Sequence, residues 1–165
     1  PMNTYAKNCL ISENNCKKIL RRNILILRLS NIVGFENGRK KKASLMSLII
    51  SGIKKKKIIF DNSYNLYKDL LPVELFCLIL EKLINLKYKG IINIGSGIPI
   101  KTNLFLNHII EKKNVKIILK LKKNFIDRDF CFDTTVLKNI IKKKLTKEIL
   151  FIYFKKLKKQ LKKIS

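Results

Sequence analysis

Between Asn23 and Gly34 the chain reads Asn-Ile-Leu-Ile-Leu-Arg-Leu-Ser-Asn-Ile-Val-Gly, and this stretch limits the fold more than any other. Ile24, Leu25, Ile26 and Leu27 are apolar without alternation. A strand written that way is buried on both faces, as in a parallel sheet covered by helices. Polar Arg28, Ser30 and Asn31 then arrive where the strand leaves the sheet, and Gly34 closes a turn. Ligands bind at the carboxyl edge of such sheets. Ser30 and Asn31 are therefore the first candidate site residues.

The flanking patterns fit an α/β chain. Tyr5 to Arg21 predicts a helix with Tyr5, Cys9, Ser12 or Glu13, Cys16 and Leu20 near one face, its last turn loaded with cations that suit the helix dipole. After the strand, Asn37-Gly38 and the basic run Arg39 to Lys42 predict a loop, and Ala43 to Ile53 a helix ended by Gly52 and the charges beyond it. Ile58 to Phe60 predicts a short strand, and Tyr67 to Pro72 an extended piece that feeds a helix begun at Pro72. That helix is supported by Val73, Phe76, Cys77, Leu80, Leu83 and Ile84. Ile91 to Ile94 reads as a second parallel strand turned by Gly95-Ser96-Gly97. Thr102 is placed to cap a helix reaching Lys112, Val115 to Leu121 alternates as a strand, and Asp133 or Thr134 opens a helix to Ile141. In the tail, Leu150, Phe154, Leu157, Leu161 and Ile164 form one stripe among lysines, predicting a helix docked on the body.

Composition narrows the class. With 165 residues, 47% of them hydrophobic, the chain can bury a core. The formal net charge of +26 would ordinarily suggest a nucleic-acid partner. Here lysine is spread evenly beside abundant Ile and Asn and no binding motif accompanies it, so no nucleic-acid role is expected. No apolar run reaches the roughly 20 residues of a membrane span, and no signal peptide opens the chain, which predicts the cytoplasm. Cys9, Cys16, Cys77 and Cys131 show neither zinc nor disulfide spacing and are expected as reduced, mostly buried thiols. Lone His108 is expected at a helix surface or half-buried. The first residue is Pro1 rather than Met, which reads as the remainder of something longer.

Five segments, in order, resemble one family. Pro1-x-x-x-Tyr5-x-x-x-x-Leu10-x-x-Glu13 resembles the active-site helix of the extended short-chain dehydrogenases, the NAD-dependent epimerase/dehydratase family. Leu27-Arg28-x-Ser30-Asn31-Ile32-x-Gly34 looks like the strand and loop after it. Tyr67-Lys68-Asp69-Leu70-Leu71-Pro72-Val73-Glu74, then Ile92-Asn93-Ile94-Gly95-Ser96-Gly97, resemble later signatures, and Asp133 to Lys138 resembles the Asp-x-x-Lys-Leu turn. The resemblance implies the C-terminal part of a Rossmann-type doubly wound parallel sheet plus a small α/β substrate-binding lobe. Residues 1–34 would be the last part of the dinucleotide domain, and 35–165 the lobe, interleaved with Rossmann elements at about 73–95.

The resemblance also implies an activity: nucleotide-sugar epimerisation, dehydration or reduction with NAD or NADP, in the rhamnose- and galactose-pathway-like branches. Tyr5 would exchange a proton with a sugar hydroxyl while hydride passes between sugar and nicotinamide. A phenol needs acidification for that near neutrality. The family supplies a lysine one helical turn on, where this chain has Cys9. A thiol brings neither the charge nor the donors, which predicts weak or lost redox catalysis. By the same resemblance Leu29 and Ser30 would lie against the cofactor, and Asn31 and Lys68 would contact the nucleotide sugar, Lys68 replacing an arginine. No glycine-rich dinucleotide turn is present, so the chain reads as a carboxyl-terminal half. The alternative is a non-catalytic nucleotide-sugar-binding relic. Family members often dimerise through the tyrosine helix, which allows a homodimer.

Overall fold

The computed structural model describes residues 4–21, 23–35, 44–110, 115–120, 128–142 and 144–163. Helix α1 (Thr4–Leu20) leads into β1 (Leu25–Leu29) and, after Ser30 alone, β2 (Asn31–Val33). The chain continues through α2 (Leu45–Lys54), β3 (Lys57–Phe60), a 3-10 turn (Asn62–Asn65), β4 (Tyr67–Pro72) and α3 (Val73–Asn85). It ends with β5 (Gly90–Ile94), β6 (Pro99–Lys101), α4 (Thr102–Ile109), β7 (Lys116–Leu119), α5 (Thr135–Ile141) and α6 (Lys147–Lys162). This is the mixed α/β class with mainly parallel pairing that the sequence predicts.

Strand β1 pairs in parallel with β5, Leu25 opposite Gly90 and Leu29 opposite Ile94. One residue later the chain changes partner, and β2 runs parallel to β4 with Asn31 opposite Leu70. The Ser30 N–H donates to Ile94 O at 2.9 Å, so the change of sheet falls between Ser30 and Asn31. Strand β6 adds antiparallel to β4, and β3 pairs in parallel with β7. A crevice opens where neighbouring strands diverge in this way.

The core runs from α2 and β3 through α3 and β5 to α4 and α6, and its aromatic part lies where α4 and α6 meet. Phe105 of α4 meets Phe154 of α6 edge-on at 4.9 Å, and Leu150, Leu157 and Leu161 complete a buried stripe. The tail therefore docks on the body, as its pattern predicts, with Thr146 Oγ1 capping the helix by accepting from Ile149 N. Among the described residues no helix is long and apolar enough to cross a membrane.

Several expectations are corrected. The four cysteines are exposed, not buried: Cys9 and Cys16 sit on α1, which has no buried residue, and Cys77 faces outward from α3. Residues Leu25 to Leu27 are half-buried rather than covered on both faces, since β1 has a strand on one edge only among the described residues. The buried stripe of α3 is Leu75, Ile79 and Leu83, rotated from the predicted face. The run Leu-Phe-Cys-Leu-Ile-Leu is apolar all round, so its periodicity did not choose a face. Gly52 does not end α2 but packs inside it: an added Cβ would lie 2.1 Å from Ile58 Cγ1. Ser44 caps that helix reciprocally with Ser47. Pro72 closes β4 one position before α3, and the Thr102 hydroxyl donates to Leu66 O instead of capping α4. The predicted loop over 37–42, the helix end at Lys112, and Leu121 and Ile164 fall outside the described residues.

Arg21, Lys56, Lys87 and Lys142 each follow a helix with φ of 48–52°, the left-handed region where glycine is least strained. Lys87→Gly and Lys142→Gly are expected to stabilise the chain by about 0.5–1 kcal/mol each in chemical denaturation.

His108 packs edge-on against Phe151 at 5.0 Å, and its Nε2 is buried without a partner. Burial, then the Lys158 and Lys155 charges, hold its pKa below the ordinary histidine value. The unfolded chain therefore takes the proton first, and stability present above the ordinary value declines as pH falls through it toward the lowered folded value. His108→Gln is expected to remove that part of the decline, read as a smaller drop in Tm between about pH 7.5 and about pH 5.5.

Candidate active site

Asp69 is the centre around which three of the predicted site residues, Ser30, Asn31 and Lys68, lie. It is fully buried on β4 and ringed by donors. Its Oδ1 accepts from the Ser96 N–H and hydroxyl, each at 2.7 Å, and its Oδ2 from Gly97 N at 3.1 Å and Phe132 N at 3.3 Å. Converging backbone N–H groups hold an anion without a cation beside it. The turn after β5 must come very close to make these bonds. A Cβ on Gly95 would lie 2.5 Å from Asp69 Oδ2, and one on Gly97, where φ is +64°, would lie 2.2 Å from Thr134 Oγ1. The Cys131 thiol approaches Oδ2 at 3.9 Å, and burial followed by the Asp69 charge pushes its pKa up.

Around this hub lie three of the residues singled out by sequence. Asn31 Nδ2 donates to Asp69 O at 3.2 Å. Ser30 is adjacent, its Oγ buried without a hydrogen-bond partner. Lys68, next to Asp69, sends its Nζ to Arg128 O at 3.3 Å. The segment carrying Arg128 is strapped to β4: Tyr67 N donates to Asp129 Oδ1 at 2.9 Å, and Phe130 N to Tyr67 O at 2.9 Å. Beside it opens a cleft of about 310 Å³ lined by Tyr67, Pro99, Asp129, Phe130 and Cys131. Leu29, 47% exposed, ends β1.

Tyr5 and Cys9 stand apart on α1, Tyr5 being 77% exposed. The phenol is held above its ordinary pKa, chiefly by a hydrogen bond with the Cys9 side chain and then by the Cys9 charge. That is the opposite of what an acid–base phenol needs near neutrality. Farther along the helix, Glu13 accepts from Arg28 Nε at 3.0 Å and Nη2 at 2.8 Å, so Arg28 is engaged with the helix. Among the described residues no His, Cys, Asp and Glu side chains gather in threes as a metal site.

Sequence reasoning missed Asp69 and Glu13 as site-building residues. Both lay within the quoted motifs, but a lone acidic residue in a strand or on a helix carries no sign of its partners. The Gly95-Ser96-Gly97 turn was the available signal: its small residues fit only a close approach by another group.

No protein-family model and no curated protein sequence matches this chain. Solved structures do. UDP-N-acetylglucosamine 4-epimerase from Methanobrevibacter ruminantium, in complex with UDP-N-acetylmuramic acid, superposes with a TM-score of 0.77 at 14% identity, over 100% of this chain and 55% of that one. The fold is shared. The dTDP-glucose 4,6-dehydratase of Bacillus anthracis, in complex with NAD, gives 0.70 at 16% identity, over 100% and 56%. RMD from Pseudomonas aeruginosa, complexed with NADPH, gives 0.73 at 15%, over 97% and 58%. The chain thus spans just over half the length of each.

Asp69→Asn puts an amide NH2 against at least one of these buried N–H groups and is expected to cost at least ~2 kcal/mol in chemical denaturation. Ser96→Ala removes one donor, the hydroxyl, while the backbone N–H stays on Asp69 Oδ1, and is expected to cost about 1 kcal/mol.

Proposed function

We propose that this chain is the carboxyl-terminal portion of an NAD(P)-dependent nucleotide-sugar epimerase, dehydratase or reductase, with an acid–base step weakened by Cys9. The observation that carries the reading is the fold shared over the whole chain with enzymes of that kind. Residues 1–34 are then the end of the dinucleotide domain and 35–165 the substrate lobe, with 73–95 returning to the Rossmann body; the parallel β1–β5 pairing supports that division. The exposed Ile11 and Ile19 of α1 are compatible with a homodimer through that helix.

Ser30 and Leu29 are the residues proposed to lie against the dinucleotide. The orphaned, buried Ser30 Oγ is a group that a polar ligand satisfies, and the exposed Leu29 borders it. A nicotinamide held there would supply hydride transfer to or from the sugar carbon. Asn31 holds the start of β2 to β4 and orients the polar edge facing a sugar nucleotide. Lys68 offers a cation for a diphosphate but, unlike arginine, no bidentate fork. The neighbouring cleft between Tyr67 and Phe130 has the apolar faces a base stacks on. Tyr5 would take or return the hydroxyl proton, and Cys9 leaves the phenol less acidic than a lysine would.

That last observation also favours a second reading, a chain that binds the nucleotide sugar and no longer transfers hydride. Titration calorimetry with a UDP- or dTDP-sugar, alongside absorbance of the reduced nicotinamide in the intact protein, separates the two. Affinity with turnover that rises at least tenfold in Cys9→Lys supports the impaired enzyme. Affinity without turnover in either form supports the relic. Absence of affinity overturns both. In an ultraviolet difference titration against Tyr5→Phe, the phenol is expected to ionise above about pH 10, and below it in Cys9→Lys.

A further inference from the structure

Helix α1 carries the proposed acid–base residue, yet none of its 17 residues is buried. An amphipathic helix is ordinarily held by an apolar seam. Here the contact with β1 is ionic. The Glu13 carboxylate receives Arg28 in a two-point fork, Nε to Oε2 at 3.0 Å and Nη2 to Oε1 at 2.8 Å, and Lys17 Nζ closes on Oε1 at 2.7 Å. The Glu13 side chain is only 9% exposed, although the helix around it is open. Arginine is scarce in this chain, five residues against 32 lysines, and one of the five stands where a planar fork is required.

We propose that the Glu13–Arg28 pair is the positioning clamp that sets the register of α1 on β1, and through it the place of Tyr5. The clamp sits at the penultimate residue of β1, and Tyr5 lies two turns before Glu13, about 12 Å along the helix axis. The short turn through Asn23, whose N–H donates to Leu20 O, reverses the chain between helix and strand. Tyr5 is thereby carried past the carboxyl end of β1, toward Leu29 and Ser30. Two hydrogen bonds with fixed directions define one register, whereas a point charge would allow sliding. Glu13 and Arg28 act through Tyr5 and touch no reactant. The inference deepens the reading of Tyr5 as the acid–base residue and rests on it for its meaning.

The test is a spin-label distance. Native Cys16 on α1 and Ile91→Cys on the exposed side of β5 are labelled in the full chain carrying Cys9→Ser, Cys77→Ser and Cys131→Ser. Pulsed dipolar spectroscopy is expected to give one narrow distance. Glu13→Gln and Arg28→Lys are expected to broaden or shift it while far-UV circular dichroism keeps its helix signal, and the exchange Glu13→Arg with Arg28→Glu to narrow it again. A distribution unchanged in Glu13→Gln and Arg28→Lys overturns the clamp, as does broadening that the exchange fails to reverse. No nucleotide is present in this measurement. A failed clamp leaves nucleotide-sugar binding untouched, and a failure of that binding leaves the clamp standing.

Discussion

A single buried carboxylate holds together the edge where β4, the turn after β5 and the segment before α5 meet. Asp69 has no access to water, and an ionised carboxylate so placed is tolerated only with its lone pairs filled. The donors come from two separate pieces of chain, the turn after β5 and the segment before α5, and both are tied to β4 through Asp69. Each donor fixes one of those pieces in place. Gly95 and Gly97 follow from this arrangement, because any side chain there would occupy the space of the carboxylate or of Thr134. Ser30 and Asn31 reach their places through the same hub, one by its bond to Ile94 and the other by its bond to the Asp69 carbonyl.

Helix α1 is held on different physics. The body of the chain packs aromatic and aliphatic side chains, with Phe105, Phe151 and Phe154 meeting edge-on. The tyrosine helix contributes none of its residues to that core and is joined to β1 by charged groups. A helix attached in this way depends on salt and on the geometry of one fork more than a packed helix does. Its exposed Tyr5 and Cys9 therefore belong to a weakly reinforced element, while Asn31 is bonded to the strand that carries Asp69.

Much of the architecture was legible in the residues. The apolar runs Ile24 to Leu27 and Ile91 to Ile94, the second interrupted by Asn93, announced parallel strands, which pair with each other. The stripe of the tail announced a docked helix, and Leu150, Phe154, Leu157 and Leu161 are buried as their spacing requires. The extended piece at Tyr67 to Pro72 proved to be a strand with partners on both sides. Less legible were the faces: α3 is apolar all round, so its neighbours, not its period, chose Leu75, Ile79 and Leu83. The cysteines were misjudged because a thiol counts as apolar in a pattern whether or not anything covers it.

The sequence by itself determined most of the elements and their order, the parallel pairing of β1 with β5, the polar residues that follow those strands, and the thiol of Cys9 four residues after Tyr5. These are local properties, set by side-chain period, backbone preference and residue chemistry. The tertiary structure alone decided that Asp69 is a hub, that Gly52 is a packing site against Ile58, and that Glu13 grips Arg28 across 15 residues. A hydrogen bond between distant residues is fixed by where the chain returns in space. Neither residue type nor spacing encodes that return until the whole core has packed.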